Sequence, residues 1–460
     1  MSALPVPTTP RATERPPVGV LLGFAGAAVL AALLAVRFGR GALYLPFVAL
    51  LVVWLCRHPV VLLTAYLSIG VFKGTTLLQT DVIVVDPTLA LATLLLGVCV
   101  VRVLTGRAFK VPLLVAVPFI VIGVLLILSL TWTPVHGYGA EKALKFWTLT
   151  LLALAAPFCV IDNERDLRQL FAWLLIAAVV GALVTLRYGE VGAVSDVNNA
   201  NSGRLEFGGI ENTIFMSRIL CAGALVALFA PVVRLGGGWW RVVLPLVGVA
   251  LIAVAASIGS RGPLVSLALA GVVTLTAVVV RTPRALLPLL AMVAIGVAVL
   301  PFISLPETSA ARLRGITEDP LGTLQTDGRS RLYEQAVDIA RDNPAVGLGA
   351  GGFQLYSAVL LRKELRYPHN IFLEVAAEVG IAAAVVLAVS MITVLIALFR
   401  RAWASTDPRR RSQVYLVTAL LLLAFFNAQV SGDINDNRTF WTALALGWLV
   451  ARHRLVAERA

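Results

Sequence analysis

The chain has 460 residues, of which 59% are hydrophobic and 14% charged, and its mean hydropathy is +0.90. This composition excludes an ordinary soluble globular protein and indicates a polytopic membrane protein. A net charge of +13 would favour nucleic-acid binding in a soluble protein, but here the Arg and Lys residues mostly separate apolar segments. We therefore interpret them as topology signals and predict no nucleic-acid partner.

Apolar runs of about 15 to 22 residues recur along nearly the whole chain, and each can cross, or nearly cross, a hydrocarbon core as a helix. The runs lack the alternation of barrel strands. We predict an all-α polytopic membrane protein with about 12–14 transmembrane helices, and the short second and third runs could instead form a re-entrant pair. The predicted spans are residues 18–36, 42–56, 59–72, 86–101, 112–130, 144–161, 168–187, 212–231, 241–258, 262–280, 285–303, 374–399, 412–430 and 439–451.

The predicted organisation has five parts. A disordered cytoplasmic tail at 1–17 precedes an N-terminal transmembrane bundle at 18–303, a large extracytoplasmic loop at 304–369, C-terminal transmembrane helices at 370–451 and a cytoplasmic tail at 452–460. Within the loop, SRLYEQAVDIARDNP predicts a short amphipathic helix on the membrane or bundle surface, with Ser330 as its N-cap. Its predicted apolar face comprises Leu332, Ala336, Val337 and Ala340.

The basic residues predict the orientation of the chain. When the N-terminus is placed in the cytoplasm, both termini are predicted to be cytoplasmic. The following basic residues then fall on the cytoplasmic side: Arg57, Arg102, Arg107, Lys110, Arg165, Arg168, Arg234, Arg241, Arg281, Arg284, Arg400, Arg401, Arg409, Arg410 and Arg411. The segments Tyr188–Glu211 and Ser304–Tyr367 then form long outer loops.

His369 lies where the larger outer loop meets a predicted span. Pro368 cannot donate a backbone hydrogen bond and disfavours helix before it, so we expect a turn that presents the imidazole at a helix start. A neutral imidazole there is a candidate general base. The alternative is a structural histidine bonded to a backbone carbonyl, which the local sequence alone slightly favours.

Three Arg residues are candidates for binding a phosphate. Arg261 lies in a tight outer turn, SIGSRGPL, where it is either a stiff bidentate phosphate ligand or a solvated turn residue. Arg218 lies about two turns inside a span, where a charge is unfavourable unless it faces the bundle or a wet cavity, so a functional role is favoured. Arg204 precedes it in the loop and is at least as well explained as a solvated residue.

Two further patterns accompany His369. Glu374 and Glu378 share one helix face, and we predict that at least one pairs with an Arg of a neighbouring span for structural reasons. Gly347, Gly349 and Gly352 have GxGxxG spacing but follow an Asn-Pro pair rather than a strand. We therefore reject a dinucleotide site and predict a tight turn that could face a phosphate.

The candidate residues together predict one type of chemistry. Outer Arg residues and one outer His, without a carboxylate pair or a Cys/His cluster, favour metal-free and cofactor-free chemistry on a phosphate-bearing substrate. The four Cys residues have no paired spacing and are interpreted as core residues.

Several of these stretches carry a resemblance to a known family. GSRG at 259–262, the large loop with RSRLYEQAVDIARDNPAVGLGAGGF, and PHNIFLEVAAEVG resemble the O-antigen ligase and Wzy-type polymerase superfamily over roughly residues 200–440. Its His-Asn-x-x-Leu…Glu-x-Gly signature is matched by His369, Asn370, Leu373, Glu378 and Gly380.

The resemblance implies an inverting, metal-independent GT-C type glycosyltransferase at the outer face of the cytoplasmic (inner) membrane. It would move an undecaprenyl-pyrophosphate-linked glycan to a glycan or lipid acceptor in cell-envelope polysaccharide biosynthesis. His369 would be catalytic, Arg261 with Arg218 or Arg204 would bind the pyrophosphate, and Asn370 and Glu378 would give structural support. The alternatives are a polymerase of lipid-linked repeat units in the same superfamily, or a lipid or glycan transporter.

Overall fold

A computed structural model describes residues 45–72, 86–191, 205–206, 213–233, 238–281, 329–356 and 367–452. The predictions for the N-terminal tail, the spans at 18–36 and 285–303, Arg204, the C-terminal tail and much of both outer loops lie outside these residues. Residues 1–58 and 59–460 form two compact units. The first contains helix α1, and the candidate site belongs to the second.

The described residues form fifteen α-helices and one short strand pair. The helices are α1 (Leu45–Arg57), α2 (Pro59–Phe72), α3 (Pro87–Leu104), α4 (Leu113–Leu128), α5 (His136–Lys145), α6 (Leu151–Val160), α7 (Glu164–Tyr188), α8 (Thr213–Val233), α9 (Trp240–Ser257), α10 (Arg261–Arg281), α11 (Arg329–Asp342), α12 (Ile371–Glu378), α13 (Ile381–Ala404), α14 (Pro408–Val430) and α15 (Arg438–Arg452). The strands β1 (Glu190–Val191) and β2 (Leu205–Glu206) are antiparallel.

Eight helical segments in the described part of the chain are long and apolar enough to cross a membrane, and α1 with α2 would count as a ninth if they form one span. The predicted class, an all-α polytopic membrane protein, is confirmed. Most predicted spans agree with the observed helices within a few residues, and the third, at 59–72, has the bounds of α2. Hydropathy succeeds here because each helix must cover roughly 30 Å of hydrocarbon.

Two predicted spans have different bounds in the structure. The span predicted at 144–161 begins eight residues earlier, because α5 continues through a π-helical turn at Phe146–Thr150 into α6 and forms one segment, His136–Val160. The span predicted at 374–399 is two helices, α12 and α13, separated at Gly380, which has a φ of 110°. Both differences occur beside the candidate site.

Helix α14 is the centre of the bundle. It packs against α8, α10, α13 and α15. Of the residues in its apolar stretch, 78% are buried inside the protein. In helices α3 and α10, by contrast, only 22% and 28% of the residues in the apolar stretch are buried. These helices expose large aliphatic side chains, as a lipid-facing surface requires. Polar groups at the C-terminal end of α14 therefore lie inside the bundle rather than against lipid.

Helix α4 shows how the bundle satisfies its backbone. Pro118 has no N–H to donate to the carbonyl of Leu114, four residues earlier in the helix. Ser390 of α13 donates to that carbonyl at 2.8 Å instead. An unpaired carbonyl would be unfavourable in hydrocarbon, so this bond joins α4 to α13 at a fixed height.

Ion pairs mark the end of the bundle opposite to the C-terminus of α14. Arg102 at the end of α3 contacts Asp162 at 2.9 Å, and Arg410 at the start of α14 contacts Glu164 at 2.9 Å. Arg102 and Arg410, both in segments predicted to be cytoplasmic, thus lie at one end of the bundle, which we call the basic end. The other end is called the site end below.

Candidate active site at the C-terminal end of helix α14

His369 lies in a turn immediately before helix α12. It is the one non-glycine residue with a positive φ, 62°, among the described residues. Asn370 caps the helix, because its Oδ1 accepts hydrogen bonds from the N–H groups of Phe372 at 3.0 Å and Leu373 at 3.1 Å. A left-handed conformation costs a non-glycine residue roughly 1–2 kcal/mol, and such strain is concentrated at functional sites.

Helix α12 carries two buried carboxylates on the face that meets helix α5. Lys142 Nζ lies 2.6 Å from Glu374 Oε1 and 2.5 Å from Glu378 Oε2, and all three side chains are 1% exposed. The predicted structural pairing of these carboxylates is present, but the partner is Lys142 rather than an Arg. Lysine suits this position because one compact ammonium can contact both carboxylates.

One ammonium cannot neutralise two carboxylates. Burial raises the pKa of Glu374 to about 8, against the opposing effect of Lys142, and burial also raises the pKa of Glu378. Both raised pKa values favour a shared proton on the two carboxylates, and with one such proton the three groups carry no net charge.

The glycine-rich segment between α11 and α12 bonds to protein rather than facing a phosphate. The N–H of Gly349 donates to the carbonyl of Glu378 at 3.0 Å, and that of Gly351 donates to the carboxylate of the same residue at 3.0 Å. The N–H of Ala350 donates to Ser129 Oγ at 2.8 Å. This corrects the expectation of a phosphate-facing turn, because these donors are already used.

Helix α11 is the amphipathic helix predicted in the large loop. Its apolar face is buried, and Leu332, Ala336 and Ile339 pack against Phe353 and against Ala377 of α12. The helix thus lies on the bundle, one of the two predicted locations. It begins at Arg329, so Ser330 is inside the first turn and is not the N-cap.

Helix α11 is also tied to the end of α14. Tyr333 donates through its hydroxyl to the carbonyl of Gln429 at 2.9 Å. The last carbonyls of a helix have no partner within it, so a side-chain donor here satisfies a group that would otherwise be unpaired.

Arg218 also donates hydrogen bonds to carbonyl groups at the C-terminal end of α14. It is 5% exposed, and its guanidinium donates to the carbonyls of Asn427 at 3.2 Å and Ser431 at 2.6 Å and to Asn437 Oδ1 at 3.2 Å. A cation beside the C-terminus of α14 is favourable because the helix dipole is negative there. The predicted inward-facing charge is present, and the acceptors named here are protein groups at the end of α14 and in the connection that follows it.

The connection between α14 and α15, which we call the polar loop (residues 431–437), is mostly buried. Asn435 accepts a hydrogen bond from Thr150 Oγ1 at 2.8 Å and donates to the carbonyl of Lys142 at 3.1 Å. Asp433 Oδ1 accepts from the N–H groups of Asn435 at 2.8 Å and Asp436 at 2.6 Å. The polar loop therefore links the end of α14 to the π-helical turn after α5.

The polar loop also acts on the turn that carries His369. The ring of Tyr367 lies edge-on to the imidazole, 4.7 Å between centroids. Burial raises the pKa of Tyr367, and Asp436, Asp433 and Glu374 raise it further. For Asp436 itself, burial and the charge of Asp433 raise the pKa to about 6. The carboxylates of the polar loop thus act on Tyr367, two residues before His369.

Arg261 is the first residue of α10 and is half-buried. The next residue, Gly262, lies so close to α14 that a Cβ there would be 3.1 Å from Val430 Cγ2. Arg261 therefore begins its helix beside the last residue of α14. The structure thus brings Arg218, Arg261 and the helices flanking His369 to the site end, whereas Arg204 lies outside the described residues.

Sequence reasoning missed Lys142 and the polar loop. Lys142 lies just before the predicted span at 144–161, and residues 431–437 connect the predicted spans at 412–430 and 439–451. A usable signal was present in the second case, because SGDINDN concentrates acids and amides between two apolar spans. The pairing of Lys142 with α12 joins residues far apart in sequence and leaves no such local signal.

Within the described residues, the helical bundle and its buried polar end define a polytopic membrane protein with a polar site at the end of its central helix. Residues 245–388 match the family model described as O-antigen ligase, and this segment includes both Arg261 and His369. The match confirms the resemblance predicted from the motifs and supports a membrane function of the O-antigen ligase and polymerase kind. No curated protein matches the chain.

Proposed function

We propose that the protein is a membrane glycosyltransferase that transfers a glycan from a lipid pyrophosphate donor to an acceptor hydroxyl, as an O-antigen ligase does. The observation that carries the proposal is His369, held in a strained turn before a capped helix and inside the segment that matches the family. The donor lipid would be undecaprenyl pyrophosphate, and the site would face outward from the cytoplasmic membrane.

In the proposed reaction, the acceptor oxygen attacks the anomeric carbon from the face opposite the pyrophosphate. A C–O bond to the acceptor forms, the C–O bond to the pyrophosphate breaks, and its electron pair leaves on the pyrophosphate oxygen. His369 takes the hydroxyl proton. The configuration inverts, and no general acid is needed because the pyrophosphate is already a stable anion.

Arg261 is the proposed ligand of the pyrophosphate. A guanidinium at the start of α10 is permanently charged and can donate two parallel hydrogen bonds to phosphate oxygens. Its half-buried position beside the end of α14 supports this role, since charge stabilisation is strongest where water is partly excluded. Arg218, which is bonded to protein, is proposed to hold the adjacent backbone in place.

A ligase and a polymerase of this family would share this chemistry and differ in the acceptor. We propose ligation, to a glycan or lipid acceptor. Supplying a purified acceptor or only a second donor molecule separates the two activities.

The test uses purified protein with lipid-linked donor and acceptor, and measures glycan transfer together with release of lipid pyrophosphate. We expect His369→Gln and Arg261→Ala each to lower transfer by about 100-fold or more, because one removes the base and the other the charge on the leaving group.

The matched control is Arg281→Ala, at the opposite end of the helix that begins with Arg261. It should transfer glycan like the wild type. Transfer at wild-type rates by both His369→Gln and Arg261→Ala would overturn the site assignment.

A further inference from the structure

The proposed reaction makes no use of the charge cluster formed by Lys142, Glu374 and Glu378. The three side chains are almost fully buried and in direct contact. Buried charges are unfavourable unless they compensate one another, and removing one partner leaves an uncompensated ion. The cluster therefore joins α12 to α5 through charges that cannot easily separate.

Helix α12 needs such a connection. It has 8 residues, too few to be a stable helix without tertiary contacts, and Gly380 interrupts the chain before α13. Glu374 and Glu378 lie one turn apart on the face that meets Lys142. Their contacts with one ammonium fix both the rotation and the depth of the helix, and His369 is attached at its N-terminal end.

The cluster also holds the glycine-rich segment that packs against α12. Glu378 Oε2 contacts Lys142 and accepts the N–H of Gly351 at 3.0 Å. The polar loop reaches the same place, because Asn435 donates to the carbonyl of Lys142. Lys142 thus lies where α5, α12, the glycine-rich segment and the polar loop meet.

We propose that Lys142 is a positioning residue for His369: by binding both carboxylates of α12 it holds that helix so that the imidazole faces the acceptor hydroxyl. The inference rests on the proposed role of His369 as base. Lys142 itself is too buried to contact a substrate.

The first test is Lys142→Met in the full-length protein, with Lys145→Met as a matched control one turn away. Lys145 is 51% exposed and pairs with Glu141. Displacing a catalytic group by about 1 Å can lower a rate by about 100-fold, so we expect a fall of that order in kcat for Lys142→Met, with KM for the donor changed by less than about threefold. Lys145→Met should resemble the wild type.

A pH profile distinguishes positioning through charge from general damage. In Lys142→Met both carboxylates must bind protons to remain buried, so its kcat relative to wild type should rise as the pH falls from about 8 towards 6. Adding Glu374→Gln and Glu378→Gln removes the buried charges. This triple variant should recover to within about tenfold of wild type, with a ratio that does not change with pH.

A measurement independent of transfer is the rate at which diethyl pyrocarbonate modifies His369, assigned by comparison with His369→Gln. Lys142→Met should change this rate and Lys145→Met should not. If His369→Gln transfers normally, the proposed function fails while this comparison still tests the positioning. If His369 is required but Lys142→Met matches its control in kcat, pH profile and modification rate, the inference is wrong.

A second comparison applies where Lys142→Met does not fold. Glu374→Gln keeps the pair formed by Lys142 and Glu378, whereas the triple variant keeps no charge. We expect kcat to be lower in the triple variant than in Glu374→Gln. Equal kcat values in these two variants would overturn the inference.

Discussion

At the scale of single residues, Arg218 shows how a buried charge within a span can be compensated by hydrogen-bond acceptors of the protein. Its guanidinium makes bonds to two carbonyls and one amide oxygen around the end of α14, and Phe215 lies 5.6 Å from it. Position within a span correctly predicts that this Arg faces inward. Which acceptors it meets depends on residues more than 200 positions away, which the local sequence does not reveal.

We expect Arg218→Met to destabilise the folded protein. Its carbonyl and amide acceptors would lose buried charge-assisted bonds, and the expected loss is about 2–4 kcal/mol in the free energy of unfolding. The measurement is thermal unfolding in detergent. Arg218→Lys should recover only part of the loss, because an ammonium cannot reproduce the planar arrangement of donors.

The control for Arg218→Met is Arg187→Met, which changes an exposed Arg at the end of α7 and should leave stability within about 0.5 kcal/mol of wild type. If Arg218→Met unfolds at the same temperature as the wild type but no longer binds the donor, Arg218 does not stabilise the end of α14. That result would instead support the binding of the donor by Arg218 that the sequence predicts.

At the scale of elements, the break between α12 and α13 makes the helix that follows His369 a separate short helix. The apolar pattern there predicts one continuous span, because hydropathy registers length and polarity but not the φ of a glycine. For the same reason, the sequence predicts a start at residue 144 for the span that begins at His136 in the structure. Its first ten residues, HGYGAEKALK, have a polar composition, and only their buried partners explain why they form part of the segment.

Gly380→Ala tests this break. Gly380 has a φ of 110°, and a Cβ there would overlap the carbonyl oxygen of Ala345. The overlap involves backbone, which cannot move aside as a side-chain end can. We therefore expect a loss of about 2 kcal/mol or more in stability, with lower transfer activity, measured by thermal unfolding and the transfer assay.

Gly271→Ala is the matched control, since Gly271 lies within α10 and a Cβ there would meet no atom within 4 Å. It should be neutral or stabilising by roughly 0.5–1 kcal/mol, because alanine favours helix. Equal stability of the two variants would show that the break at Gly380 is not required.

At the scale of the whole molecule, the two ends of the bundle have different chemistry. The basic end gathers Arg residues at helix ends, with pairs such as Arg102 with Asp162 and Arg410 with Glu164. The site end contains His369, Arg261 and the polar loop. Predicted spans and charges anticipated this separation, because hydropathy and the distribution of Lys and Arg are properties of the sequence itself. The contacts that build the site end, such as Lys142 with α12, were not predicted.

The orientation of these ends can be measured with two single-cysteine proteins. In a background in which Cys56, Cys99, Cys159 and Cys221 are replaced, Thr131→Cys places a thiol at the site end and Thr406→Cys places one at the basic end. Both threonines are exposed. Because cytoplasmic segments are enriched in Lys and Arg, we expect a membrane-impermeant maleimide to label Thr131→Cys in right-side-out vesicles and Thr406→Cys in inside-out vesicles.

Each variant serves as the control for the other, since both replace an exposed Thr by the same residue and should react equally once detergent dissolves the vesicles. The labelling pattern also bears on the substrate. A site end that faced the cytoplasm would be labelled in inside-out vesicles, and the reaction would then have to use donor before it crosses the membrane. That result would contradict both the predicted orientation and the proposed transfer at the outer face.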